Sequence, residues 1–125
     1  MIIETPISVG ELVDKITILE IKSERIKDKI KLVNVNKELE LLSKKLSNLN
    51  ISNEIFDELK KINEKLWDIE DMLRKKERDK QFDQDFIQLA RSVYFTNDKR
   101  FDLKKSINLL YGSDLYEEKE HAMYK

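Results

Sequence analysis

The chain has 125 residues, of which 40% are hydrophobic and 39% charged, with two glycines and one proline. This composition suits long amphipathic helices within one domain and leaves few residues for the turns of a β-rich fold. The 24 basic and 25 acidic side chains nearly cancel, which excludes a general electrostatic attraction to nucleic acid or to an anionic membrane.

Residues 1–7 form a predicted extended arm, in which Ile2 and Ile3 expose apolar surface unless they pack against a helix or a second subunit. The arm lacks the basic region and apolar run of a signal peptide, and no stretch of the chain approaches the length of a membrane span. The absence of cysteine excludes disulfides and thiolate metal sites and agrees with a reducing compartment. We therefore expect a cytoplasmic protein.

The first predicted helix begins after Ser8. Ser8 and Glu11 have the spacing of a capping box, in which each side chain satisfies the backbone N–H of the other residue. Beyond them an apolar seam alternates spacings of four and three, the period at which one helix packs on another. Its members are Leu12, Ile16, Leu19, Ser23, Ile26, Ile30 and Val33. We expect this long helix to run from about Val9 to residues 29–32 and to break at Asn34–Asn36.

Two further seams follow in the middle of the chain. The second helix carries Val35, Leu39, Leu42, Leu46 and Leu49. It ends at residues 48–53 because Asn and Ser prefer caps and turns. The third helix, up to about Lys80, carries Ile55, Leu59, Ile62, Leu66, Ile69 and Leu73. A short loop between two such seams predicts a central antiparallel, coiled-coil-like hairpin.

The C-terminal part reads as a bent pair of helices. Asp83 is a candidate N-cap for a fourth helix, and the capping residues Thr96–Asp98 predict a bend before a fifth. Gly112 is the expected C-terminal stop. The acidic tail, residues 113–125, either docks on the bundle or frays.

One polar strip lies on the predicted third helix. Asn63, Trp67, Glu70 and Arg74 are three and four residues apart and share one face, with Asp71 beside them. The structural interpretation is a tryptophan at the edge of the core with a Glu70 to Arg74 ion pair. The functional interpretation is a recognition strip for a polar ligand.

A second polar strip crosses the predicted bend. Its members are Arg91, Tyr94, Asn97, Asp98, Arg100, Lys104 and Asn108. Polar groups collect at bends either because they cap helix ends or because they hold an anion at the exposed N–H groups of the next helix. In the second case Arg100 and Lys104 supply the positive charge. The two strips together are the candidate ligand-binding residues, and no catalytic residue can be assigned.

Other chemistry has little support in the sequence. Acidic pairs three residues apart, such as Glu11 and Asp14, have the spacing of magnesium ligands, but such pairs arise readily by chance in a chain with 25 acidic residues. The single histidine, His121, has no partner at ligand spacing. Residues 22–45 carry a net positive charge without a nucleic-acid recognition motif. We predict no metal and no cofactor, and we do not expect nucleic-acid binding.

Several segments together resemble a known family. PISVGELVDKITILEIK, EKLWDIED and FIQLARSVYFTNDKR are similar to a family of small bacterial and phage proteins catalogued as a domain of unknown function. The resemblance spans nearly the whole chain and implies no activity. It implies an auxiliary role near sugar transfer and surface polysaccharides. The family pattern has a proline-bearing turn after Asp28, whereas Lys29–Ile30–Lys31 follows here.

We therefore predict a single all-α domain, residues 1–125, with a long N-terminal helix, a central antiparallel hairpin and a bent C-terminal helix pair. The favoured function is a non-catalytic module that binds a protein partner or self-associates as a homo-oligomer, in phage or surface-polysaccharide biology. The alternative is a binding protein or enzyme for a sugar phosphate or nucleotide, with its pocket between the Trp67 to Arg74 strip and the Tyr94 to Arg100 bend.

Overall fold

The computed structural model describes residues 1–124, and this range contains four α-helices and no strand. The helices are α1 (Val9–Arg25), α2 (Lys29–Leu46), α3 (Asn53–Arg78) and α4 (Gln84–Leu110). The predicted all-α fold is confirmed. Each helix begins where a short polar side chain accepts a hydrogen bond from a backbone N–H of its first turn. These N-caps are Ser8, Asp28, Ser52 and Asp83.

α1 lies at the centre of the fold and packs against all three other helices. Helical spacing explains this, because its buried residues occupy two separate faces. The first face carries Leu12, Ile16 and Leu19, and the second carries Val13, Thr17 and Ile21. Leu12 lines a groove with Leu42 of α2, whereas Val13 packs with Leu59 of α3 and Ile107 of α4.

The contacts fix the directions of the helices. α1 and α3 run the same way, because Thr17 contacts Asn63 and Arg25 contacts Asp68. α4 runs against both. Along α1, Gly10 contacts Asn108 and Asp14 contacts Lys104. Along α3, Leu59 packs with Ile107 and Asn63 contacts Arg100.

The predicted boundary between the first two helices is wrong. α1 ends at Arg25 rather than near residues 29–32, and α2 continues through the predicted break at Asn34–Asn36. The reason is Asp28, whose carboxylate accepts hydrogen bonds from the backbone N–H groups of Ile30 and Lys31 and so starts a new helix. Asn34 and Asn36 are exposed, where they do not disturb packing.

The predicted central hairpin of the second and third helices is also wrong. α2 packs on α1, and α3 packs on α4 and α1. Within residues 1–124 the backbones of α2 and α3 do not approach each other, although Leu46 in the last turn of α2 packs against the core cluster that contains Leu59. The two faces of α1 explain this, because α2 covers one and the α3–α4 pair covers the other.

The predicted bend in the C-terminal helix pair does not occur, since α4 is one helix from Gln84 to Leu110. Capping side chains end a helix only when they bond to its backbone, and these are engaged elsewhere. Thr96 is buried, and the carboxylate of Asp98 accepts a hydrogen bond from the hydroxyl of Tyr124.

Two end signals are confirmed. The backbone N–H of Glu11 donates to Ser8 Oγ at 3.1 Å, although the Glu11 carboxylate turns to Lys104 instead of closing the capping box. Gly112 has a φ of +64°, and the next residue, Ser113, donates its N–H to the carbonyl of Asn108. This is the C-terminal stop that the glycine predicted.

Candidate functional site

The most distinctive polar site lies where α1 crosses α4, around the buried ammonium of Lys104. Lys104 Nζ lies 2.8 Å from Glu11 Oε2, 3.0 Å from Glu117 Oε2 and 3.6 Å from Asp14 Oδ2. Two of these carboxylates come from α1, and the third comes from the segment after α4. One lysine of α4 therefore ties three parts of the chain together.

Electrostatics keep this lysine charged. Burial alone would lower the pKa of Lys104, but the hydrogen bonds that its ammonium donates to Glu11 and Glu117, together with the charge of Asp14, outweigh burial and raise the pKa above its ordinary value. A protonated amine is neither a nucleophile nor a general base. The arrangement therefore favours a binding or structural lysine over a catalytic one.

A second layer of the site joins all three central helices through Asn63. Its amide nitrogen donates to Asp14 Oδ1 at 2.8 Å and to Thr17 Oγ1 at 2.9 Å. Its carbonyl oxygen accepts from Arg100 Nη1 at 3.2 Å. Asp14 thus contacts both Asn63 and Lys104, which makes the two layers one continuous network.

Close backbone approach brings α1 and α4 within reach of this network. The N–H of Gly10 donates to Asn108 Oδ1 at 2.7 Å, and a Cβ on Gly10 would lie 2.6 Å from the carbonyl oxygen of Lys104. Only glycine fits at this crossing. Beside it, the N–H of Val9 donates to Ser113 Oγ at 3.1 Å.

The network is self-sufficient. Every buried side-chain nitrogen or oxygen in the described part of the chain has a hydrogen-bond partner. None of these atoms therefore needs a ligand to complete its hydrogen bonding. Among the described residues, no group of three or more His, Cys, Asp or Glu side chains is placed to hold a metal ion. Glu11 and Asp14, the suggested magnesium pair, face Lys104 instead.

The rest of the α3 strip lies at the surface. Trp67 is half-buried beneath the guanidinium of Arg25, which lies 5.8 Å from the ring centroid. Glu70, Asp71 and Arg74 are exposed. The Glu70 to Arg74 ion pair does not form, and Asp71 pairs with Lys75 at 3.1 Å instead.

The early part of the α4 strip also lies near the surface. The Arg91 guanidinium sits over Phe95, 5.7 Å from the ring centroid, and the Tyr94 ring packs against Tyr124 at 5.2 Å. Asn97 is half-buried. The structure therefore brings together Asn63, Arg100, Lys104 and Asn108 from the two strips, whereas Trp67 to Arg74 and Arg91 to Asn97 lie outside that network.

A separate apolar groove lies between the N-terminal arm, residues 1–7, and helices α1 and α2. Its volume is about 610 Å³. Its apolar wall is formed by Ile2, Ile3, Ile7, Leu12, Leu41 and Leu42. Two acidic and two basic side chains stand at its margin, namely Glu4, Glu38, Lys15 and Lys45.

A family model described as a family of unknown function, DUF6165, matches residues 2–123. The chain belongs to DUF6165. This confirms the family resemblance seen in the sequence. No curated protein and no solved structure gives a significant match to this DUF6165 chain. Within the described residues, no helix is both long and apolar enough to cross a membrane.

Sequence reasoning missed half of the polar network of this DUF6165 protein. The sequence predicts a cap role for Glu11 and a chance acidic pair for Asp14, and it predicts no polar role for Thr17 or Glu117. One signal was available, since Asp14 and Thr17 are polar residues at helical spacing on an otherwise apolar face. For Glu117 no local signal exists, because its partner lies on another element.

Proposed function

We propose that this DUF6165 chain is a non-catalytic helical interaction module that self-associates through the α2–arm face, defined as the N-terminal arm together with the outward side of α2. The observation that carries the proposal is the exposure of α2. Across its 18 residues α2 buries none, and Ile30 and Val33 are 79% and 67% exposed. Apolar patches of this kind on a helix mark interaction surfaces.

The groove beside α2 supports the same surface. Its wall is aliphatic, and the arm that borders it exposes Ile2 and Ile3 rather than burying them. A second copy has apolar side chains on its own arm and on its own α2, and these side chains fill the groove in the interface that we propose.

Charge complementarity favours a second copy over an unrelated partner. The margin carries Glu4 and Glu38 together with Lys15 and Lys45, so it is electrically balanced. In a two-fold interface the same patch meets itself, and a patch that carries both signs allows acidic groups of one copy to face basic groups of the other.

The buried network supports a non-catalytic role. Lys104 is held protonated by its carboxylate partners, and each buried polar side chain described is already bonded within the chain. Because the polar groups of this network hydrogen-bond to one another, the network favours one packing of α1, α3 and α4 and does not depend on a substrate.

Light scattering on a size-exclusion column tests the proposal. We expect a dimer whose fraction rises with protein concentration, and Val33→Glu should shift it to monomer because the charge lies on the outward side of α2. The matched control is Met72→Glu, which introduces the same charge at an exposed apolar position of α3 and should leave the dimer intact. A wild-type monomer up to millimolar concentration would contradict the proposal.

A second candidate function is binding of a sugar phosphate or nucleotide between the two polar strips. The specific observation in its favour is the hydrogen bond between Arg100 and Asn63, which joins one strip to the other. A thermal-shift panel tests it, because a ligand at a hundred times its dissociation constant stabilises by about 2.7 kcal/mol. Shifts that persist in Arg100→Met would contradict this site.

The cellular setting remains part of the proposal. The family resemblance favours an auxiliary role in phage or surface-polysaccharide biology, and the sequence features described above favour the cytoplasm. Affinity capture from the native host tests both, since an interaction module should recover either other copies of itself or proteins of one such process.

A further inference from the structure

The C-terminal segment, residues 113–124, runs back along α4 without forming a helix. We call it the strap, and the last residue of the predicted tail, Lys125, lies outside the described residues. Three contacts between the strap and α4 show the direction in which the strap runs. Glu117 reaches Lys104, the ammonium of Lys119 lies over Phe101, and Tyr124 reaches Asp98. The strap therefore runs antiparallel to α4.

Polar and aromatic contacts hold the strap, and it contributes little to the core. Leu115 and Tyr116 are each 44% exposed and Met123 is 80% exposed. Its attachments are the Ser113 bond to α1, the Glu117 ion pair and the Tyr124 ring on α4. This is how a bound peptide contacts a protein surface, with a few anchors separated by solvent-facing residues.

The surface beneath the strap matches an acidic, aromatic peptide. α4 presents Lys104 as a cation for a carboxylate and Phe101 as a ring for a cation. Tyr94 and Phe95 receive an aromatic side chain, with ring centroids 5.2 and 5.1 Å from Tyr124. Ion pairs and offset aromatic contacts of this kind are the anchors of peptide recognition.

We propose that the surface of α4 from Tyr94 to Lys104 binds an acidic peptide segment of a protein partner, and that the strap occupies this site as a displaceable intramolecular ligand. The carboxylate of Glu117 marks the position that an acidic side chain of the partner takes. The Tyr124 ring marks the position of an aromatic side chain of that peptide.

The site does not depend on the strap for its shape. Lys104 keeps Glu11 and Asp14 as partners when Glu117 leaves, and Arg100 keeps Asn63. Both contacts lie among the central helices, so opening the strap uncovers a formed site. The pKa of Glu117 agrees with a bound carboxylate: burial would raise it, but the hydrogen bond and charge of Lys104 outweigh burial and lower it.

The competition between strap and partner sets the expected affinities. A tethered ligand acts at a high effective concentration, so the closed strap weakens binding of any free peptide. Removing the strap's own anchor should therefore strengthen that binding. This inference does not rest on self-association, because it concerns α4 and not the α2–arm face.

Fluorescence anisotropy with a labelled synthetic peptide of residues 113–124 tests the proposal on the full chain. We expect Glu117→Gln to bind this peptide about twofold more tightly than wild type, the effect of losing about 0.5 kcal/mol of strap closure. The matched control is Glu118→Gln. Glu118 is the exposed neighbour, and its substitution should leave the affinity at the wild-type value. Equal affinity of all three proteins would overturn the proposal.

A second variant guards against a loss of folding in the first. Tyr124→Phe keeps the ring and removes the hydroxyl that donates to Asp98, so it should tighten peptide binding in the same direction by a smaller factor. A peptide with glutamine at the position of Glu117 should bind all of these proteins weakly. Tight binding of that peptide would show that Lys104 does not recognise the carboxylate, which would also overturn the proposal.

Discussion

α1 and α2 are neighbours of nearly equal length, 17 and 18 residues, yet eight residues of α1 are buried and none of α2. Both helices carry regularly spaced aliphatic residues. The difference is the number of neighbouring helices, because the backbone of α1 lies close to three helices and that of α2, within residues 1–124, lies close to α1 alone. Burial therefore depends on position in the fold. Most apolar residues of α1 are buried, whereas the inward seam of α2 is half-buried and its outward residues Ile30 and Val33 are exposed.

The sharpest test of this comparison uses two isoleucines. Ile16 of α1 is 2% exposed and Ile30 of α2 is 79% exposed. Ile16→Ala should lower the free energy of unfolding by about 2–5 kcal/mol, because it removes buried methyl groups and leaves a cavity. Ile30→Ala should change it by about 0.5 kcal/mol or less. Urea denaturation measures both, and similar losses would show that α2 is buried.

The next largest effect concerns the ion network that ties α1 to α4. Lys104→Met should cost about 3 kcal/mol, the low end for a broken buried pair, since Glu11 and Glu117 are partly exposed. Lys105→Met is the matched control, because Lys105 is exposed on the same helix. Urea denaturation should show a large loss only for Lys104→Met, and equal stability of the two variants would contradict the network's role.

A smaller effect is expected where α1 touches the backbone of α4. Gly10→Ala places a methyl group 2.6 Å from the Lys104 carbonyl, so the two helices must separate, at a cost of about 1–3 kcal/mol. Gly112→Ala meets nothing within 4 Å but has a φ of +64°, and we expect about 1 kcal/mol from backbone strain alone. Thermal unfolding distinguishes them, and a neutral Gly10→Ala would mean that the helices do not approach closely.

The smallest effect is pH dependence of the strap contact. The pKa of Glu117 is lowered from 4.5 in the folded chain, so its contribution is complete above pH 4.5 and is lost as the pH falls through the folded value. The pKa of Lys104 is raised from 10.5, so its contribution is complete below pH 10.5 and is lost as the pH rises through the folded value. We expect Glu117→Gln to cost about 0.5 kcal/mol at neutral pH. Thermal melts should show that this difference disappears in acid, and a constant difference would contradict the ion pair.

The sequence predicted what depends on neighbouring residues. Ser8 and Gly112 are confirmed as helix ends because caps and left-handed glycines act within a few residues. The third helix spans Asn53–Arg78, which agrees with the range that its apolar seam predicted. The seam of α1 predicted that this helix needs partners, and it has three.

What the sequence did not predict depends on tertiary contacts. The break at Asp28 competed with an apolar seam that continues through Ile30 and Val33, and in the structure those residues are exposed on α2. The residue types at Thr96–Asp98 are common helix caps and predicted a bend. In the structure they lie within one continuous helix, where Thr96 is buried and Asp98 accepts a hydrogen bond from the Tyr124 hydroxyl. In the polar network Lys104 and Glu117 meet only because the strap folds back, and residue spacing along one helix cannot reveal this.

The central claim is that α2 has no fully buried residue in the single chain and that a second copy covers its outward side. Amide hydrogen exchange as a function of protein concentration tests this claim most directly. Helices with few buried contacts open readily and exchange fast. We predict fast exchange in residues 29–46 of the dilute protein, slowing as concentration rises, while exchange in Val9–Arg25 stays slow throughout. Exchange in α2 that is as slow as in α1 and independent of concentration would contradict the account.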